Sequence, residues 1–352
     1  MSANNALVLR IPTLAIHLDR QETFSFNKET QLFPIAGLVS AELNRKDEAE
    51  TEGDDFEPLK LVTQRHHPYL IKVVAESAKV DPSSIVDFEL VLYDTQKACL
   101  GGLRDEFIFS ARLDNLNQTY CVTMGLIESV SKSGSLEDEN SVRLVACFDH
   151  EEIGSMTAQG AFSSMLSTVI RRLSALPAAN FESESESSYD QAHEVEAATA
   201  FEQSLASSFL LSADMAHSVH PNYAGKYEAD HKAEMNKGPV IKVNANARYA
   251  TNSPGIVLLQ EVARLAPKLD KEDVHGVPLQ LFVVRNDSSC GSTIGPMLSA
   301  SMGVRTLDLG NPQLSMHSIR ETGGSEDVHH AIRLFSSFFR HYSQLEKTIL
   351  VD

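Results

Sequence analysis

Residues 142–154 read VRLVACFDHEEIG. A short run rich in β-branched and apolar side chains passes without a break into Asp149, His150, Glu151 and Glu152. An apolar run of this length predicts a strand buried on both faces, the kind found inside α/β sheets. Working downstream, Phe162, Leu166, Val169/Ile170 and Leu173 recur at helical spacing. SSFLLSADM (207–215), GPVIKVN (238–244) and LQLFVVRND (279–287) read as further strands. TIGPMLSASMG reads as a helix with a glycine stop, and VRTLDLG (304–310) as another strand. Val328, Ile332, Phe335, Phe339 and Tyr342 form the core stripe of a closing helix. The alternation predicts an α/β domain over residues 103–352, a mixed sheet flanked by helices. Upstream, patterns such as FELVLYD (88–94) read as a strand of a separate, smaller unit over residues 1–102.

The chain has 352 residues, and at about 150 residues per domain two domains are expected. It carries 30 Lys and Arg against 48 Asp and Glu, a net charge of −18. Such a surface repels phosphate backbones and excludes nucleic acid as the main partner. Cys99, Cys121, Cys147 and Cys290 are too scattered for a disulfide framework, and no C-x-x-C occurs, so a reducing, cytoplasmic setting is expected. No apolar run approaches the roughly 18 residues that span a bilayer. The first residues, interrupted by Arg10 and Pro12, do not read as a secretory signal. Seven of the eleven residues from Asp47 to Glu57 are acidic, which predicts a solvated loop near 46–57. Glu182 to Glu196 holds six acids and no Lys or Arg, and predicts a mobile insertion near 182–200.

In open α/β sheets ligands bind beyond the carboxyl ends of the strands, and those ends are acidic here. VRLVACF leads into Asp149-His150-Glu151-Glu152, FLLSA into Asp214-Met215-Ala216-His217, and the 304–310 strand towards Met316-His317-Ser318. Asp114 follows the apolar EFIFSARL. Taken singly, each acid reads as a helix cap or surface carboxylate, and each histidine as a hydrogen-bonded core residue. Together they describe carboxylates that repel one another unless a cation intervenes. Carboxylates with one or two imidazoles suit zinc or another divalent ion. In a Glu-Glu pair one carboxylate can bind metal while its neighbour serves as a base, and two metals sharing a carboxylate and a water would form a hydrolytic centre.

Seven blocks carry a resemblance, in order: LRIPTLAIHLDR (9–20), LGGLRDEFIFSARLDN (100–115), DHEEIGSMTAQGA (149–161), SADMAHSVHPNY (212–223), KGPVIKVNANARYA (237–250), VRNDSSCGSTIGP (284–296) and LDLGNPQLSMHSIRE (307–321). On these the chain resembles the aspartyl aminopeptidases of the M18 family of dinuclear zinc metallopeptidases. The resemblance implies a zinc-peptidase α/β domain with a smaller β-rich dimerisation domain, and dimers assembling into a dodecamer. It implies removal of Asp or Glu from peptide N-termini in the cytoplasm or a vacuole-like compartment. Asp114 matches the bridging metal ligand, Glu151 the general base, and Glu152, Asp214 and His317 metal ligands. His217, Lys242 and Tyr249 match substrate contacts, and His17 a histidine offered to a neighbouring subunit. The family's upstream His-Thr-Asp-Ser-Pro motif, with its further metal histidine, does not occur in these residues. The resemblance therefore implies a catalytic domain without its N-terminal part and one of two zinc sites short of a ligand. Its alternative outcome is a catalytically impaired member that keeps an assembly or interaction role. A zinc hydrolase acting on acyl-amino acids fits the SADMAH and KGPVIKVN blocks less well.

Overall fold

The computed structural model of the chain describes residues 9–18, 23, 25–38, 60–132, 135–137, 139–176, 190–267 and 276–349. The acidic run at 46–57 and residues 182–189 lie outside them. The chain forms two compact units, residues 1–93 and 94–352.

In the first unit Arg10 and Ile35 exchange two backbone hydrogen bonds in an antiparallel bridge. Two helices follow, α1 (Val62–Arg65) and α2 (Pro68–Ala78). Proline opens α2, where a missing N–H costs no helical bond, and His67 Nδ1 accepts from Tyr69 N at 3.2 Å. Ile71 and Ala75 are its buried face. The strand expected at 88–94 does not form: those residues join no ladder among the described residues, and Val91 is 83% exposed. Alternating apolar residues make a strand only where a neighbour takes up their N–H and C=O groups.

The second unit contains two sheets. One runs in the order β1 (Cys99–Gly101), β2 (Phe107–Ser110), β9 (Glu321–Gly324), β8 (Pro312–Leu314), β4 (Ala216–His217). The other runs β3 (Phe209–Ala213), β7 (Arg305–Gly310), β5 (Val240–Val243), β6 (Gln280–Val283). β3 is parallel to β7 and β5 to β6, while β5 and β7 are antiparallel, so the second sheet is mixed. These strands, the closing helix and the helix with its glycine stop match the expectation from the sequence. The helices of this unit are α3 (Leu113–Val130), α4 (Met165–Ser174), α5 (Asp190–Ser207), α6 (Ser253–Leu265), α7 (Ile294–Met302) and α8 (Ser325–Leu345). Gly303, at φ 67°, ends α7.

The core lies where α3, α6 and α8 meet the second sheet. Leu258, Leu259 and Val262 of α6 and Leu334 and Phe335 of α8 pack with Leu307 and Leu309 of β7. Each fully buried leucine contributes about 2 kcal/mol relative to exposure. Gly125 lets α3 approach α8, since a Cβ there would meet Phe335 Cβ and the Ser336 backbone. The acidic insertion is corrected in part: from Asp190 onward it is the helix α5, in keeping with its alanines.

The stretch at 142–148 is also corrected. It forms no regular structure and pairs with no strand among the described residues, and Val142 is 74% exposed. It runs beside β3, which has β7 as its one neighbour, and the two line a cavity of about 200 Å³ with Leu166 and Phe335. Its composition suits a doubly buried strand, yet no strand among the described residues takes up its backbone groups.

Candidate metal centre

Loops beside β2, β3, β8 and β9, and the tight turn after residues 142–148, bring the site residues together. β2 passes through Arg112, held at φ 58°, into Asp114, whose backbone is not yet helical (φ −84°, ψ 106°). The Asp114 side chain is 7% exposed. Glu151 and Glu152 sit on a single tight turn, Glu151–Ile153, between left-handed His150 (φ 62°) and Gly154 (φ 106°). His150 Nδ1 lies 2.7 Å from Thr157 Oγ1, which ties down that turn. Asp214 follows β3, its N–H bonded to Leu309 O at 2.9 Å. His317, at φ 65°, lies in the loop joining β8 to β9.

His317 Nε2 is 3.2 Å from Asp114 Oδ2 and 3.3 Å from Glu152 Oε1. One ligand atom from each of Asp114, Glu152 and His317 falls within 4.8 Å of the others. Burial, then the Asp214 and Glu152 charges, pushes Asp114 up to about 8. Burial, then Asp214 and Glu152, also raises Glu151, against His317 and Lys242. Carboxyls that resist ionisation in one another's presence are the state a dication relieves. Two carboxylates and one imidazole are a donor set that zinc accepts, with a coordination position left for water. The residues present therefore fit one zinc. For a second ion the described residues offer Asp214 and the shared Asp114.

Lys242, on β5, is 2% exposed, and its Nζ lies 3.3 Å from Asp214 Oδ2. The same Nζ is 5.4 Å from the centre of the Tyr249 ring. Tyr249 is buried, accepts from Cys290 Sγ at 3.4 Å, and is raised first by burial and then by Cys290. The His217 ring packs edge-on to Phe282 at 5.7 Å. Solvent reaches His217, but surrounding protein, then Lys242 and His317, hold its pKa down. The structure thus gathers Asp114, Glu151, Glu152, Asp214, His217, Lys242, Tyr249 and His317 within one unit. His17 is exposed in the other unit.

The reading of the sequence missed Glu321. It is 2% exposed, and its carboxylate accepts from the backbone of both Asp114 and His317. The available signal was an acid only four residues after His317, in a strand that pairs with FIFS.

A family model described as aminopeptidase I zinc metalloprotease (M18) matches residues 2–339. The chain is 67% identical to an aspartyl aminopeptidase of Aspergillus oryzae, over 98% of this chain and 69% of that protein. It is 49% identical to aspartyl aminopeptidase 4 of Saccharomyces cerevisiae, over 99% of this chain and 67% of that one. Among solved structures, the cryo-EM structure of the Ape4 and Nbr1 complex superposes with a TM-score of 0.83 at 48% identity, covering 99% of this chain and 60% of that chain. The S. cerevisiae mApe1 dodecamer superposes with a TM-score of 0.70 at 29% identity, over 98% and 65%. The chain thus spans about two thirds of the length of these relatives.

Proposed function

Since the chain belongs to the M18 family of aminopeptidase I zinc metalloproteases, we propose that it acts as a zinc-dependent aminopeptidase releasing Asp or Glu from peptide N-termini. The observation that carries this is the convergence of Asp114, Glu152 and His317, from three distant segments, with Glu151 beside them. Zinc held there would polarise a peptide carbonyl and acidify a water. Asp114, Glu152 and His317 would hold one ion, and Asp114 with Asp214 a second. Glu151 takes the proton of the attacking water and passes it to the leaving amine. Burial, then the Asp214 and Glu152 charges, raises its pKa, which favours its taking up a proton.

Specificity for an acidic residue falls to Lys242. An ammonium has three donors, and Asp214 occupies one at 3.3 Å. The others can hold a substrate carboxylate, with Tyr249 and His217 forming its walls. The net charge of −18 does not steer acidic peptides inward, so selectivity is local. The dodecameric relative supports a homo-oligomer built from dimers, in which His17 of one subunit would complete the substrate site of another. Among the described residues no helix is long and apolar enough to cross a membrane, and the cytoplasm is the compartment proposed.

A second reading, a catalytically impaired member with an assembly role, is favoured by one observation. Asp214, proposed above to hold the second ion, is already paired with Lys242 at 3.3 Å. The experiment compares release of Asp, Glu, Ala and Leu from otherwise identical peptides by zinc-loaded chain. Turnover confined to Asp and Glu supports the peptidase. Folded, zinc-bound chain without turnover supports the second reading.

A further inference from the structure

Glu321 opens β9 opposite Ser110, at the foot of the loop that carries His317. Its Oε2 accepts from Asp114 N at 2.9 Å, and its Oε1 from His317 N at 2.8 Å. One buried carboxylate thus joins the segments of Asp114 and His317, 203 residues apart, since 317 less 114 is 203. These are the two segments whose side chains meet at 3.2 Å between Asp114 Oδ2 and His317 Nε2. Neither segment is held by regular structure at that point. Asp114 lies between β2 and the regular turns of α3, and His317 stands at a positive φ in a loop.

We infer that Glu321 is a positioning residue of the metal centre: its two oxygens fix the Asp114 and His317 backbones at the separation that lets both side chains take one ion. The chemistry requires a carboxylate at this place. Two N–H groups converge on it, so both of its atoms must accept. Glutamine offers one acceptor and one NH₂, and the NH₂ would face an N–H, leaving a buried donor without a partner. Aspartate keeps both acceptors but is one methylene shorter and cannot reach both segments. Both oxygens accept from backbone N–H groups, and the group whose ligand atoms converge among the described residues is Asp114, Glu152 and His317, so Glu321 acts by holding ligands in place. Outer partners of this kind typically govern metal affinity by roughly 10–100-fold.

The inference rests on Asp114 and His317 being metal ligands, and the experiment separates the two ideas. Metal-depleted chain is titrated with zinc against a chromophoric chelator, and with cobalt(II) for its visible absorption. Wild type should bind zinc, and Asp114→Ala and His317→Ala should abolish that binding. If they do not, the ligand reading falls. Glu321→Gln should weaken zinc roughly 10–100-fold and alter the cobalt spectrum, with Glu321→Asp in between. Asp327→Asn, which disturbs a different buried carboxylate bonded to Asn236 N and Gly238 N, should leave zinc affinity within about twofold, so that general loosening is told apart from lost positioning. Wild-type binding with unchanged affinity and spectrum in Glu321→Gln would overturn the inference alone. Should Glu321→Gln not fold, hydrogen exchange of the metal-free wild type decides: protected Asp114 and His317 amides support the clamp, and freely exchanging ones refute it.

Discussion

Replacing Lys242 by methionine shortens the unbranched side chain by one atom and removes its charge. The ammonium lies 3.3 Å from Asp214 Oδ2, with the two side chains 3% and 20% exposed. It also lowers the pKa of both Asp114 and Glu151. At 3.3 Å and an effective dielectric of about 20, the pair attraction is about 5 kcal/mol before desolvation. Removing one partner of a buried pair costs about 3–5 kcal/mol, because the other charge stays behind. The partial exposure of Asp214 puts the expected cost at the lower end, about 3 kcal/mol. With a urea slope of about 3 kcal/mol per molar, the midpoint should fall by about 1 M. The assay is urea unfolding of chelator-treated chain at pH 7.5, followed by circular dichroism because the sequence has no tryptophan. Saturating zinc should shrink the deficit, since a dication opposes the same carboxylates. A midpoint shift under about 0.2 M without metal, or a deficit that zinc leaves unchanged, would refute the electrostatic argument. Equal loss of kcat/KM on Asp- and Ala-peptides would refute the role of Lys242 in specificity.

Glu151→Gln should retain zinc yet lose roughly 10²–10⁴-fold in kcat; near-normal turnover with full metal removes Glu151 from the proton path. Equilibrium dialysis followed by metal analysis should find about one zinc per chain, because catalytic zinc ordinarily keeps three protein ligands and Asp114, Glu152 and His317 supply one such set. Two tightly held ions would contradict this count. Burial holds Asp327 up to about 6, against 3.8 for an ordinary Asp, so the folded state keeps its proton longer than the unfolded chain. The stability from that bound proton is complete below about pH 4 and is lost as pH rises through 6, about 3 kcal/mol in all. Asp327→Asn should lack this decline between pH 4 and 7, and parallel stability curves for the two proteins would refute it.

The strands at 209–213, 240–243, 280–283 and 305–310 were legible because each is a short, largely apolar run. The closing helix was legible because its apolar residues recur every three to four positions. FELVLYD and VRLVACF carry the same local signal but form no ladder, since pairing depends on a partner strand that local composition cannot reveal. Asp114 and Asp214 were legible by their place after strands, and Glu151 and Glu152 by following an apolar run. Glu321 was not, because its role is defined by two backbone N–H groups that come near it only in the folded chain.

The distribution of charge at the site follows from this arrangement. Asp114, the Glu151–Glu152 turn and Asp214 come from three separate segments, so no single helix dipole or loop can neutralise them together. Lys242 is the counter-charge the fold supplies from within the sheet, and it reaches Asp214 but leaves Asp114 and Glu151 raised. Like charges assembled at this cost persist only where something binds between them. The backbone clamp from Glu321 adds a further acid beneath the cluster, spent wholly on orientation. A fold that spends one buried carboxylate on holding two others in place is organised around a cation.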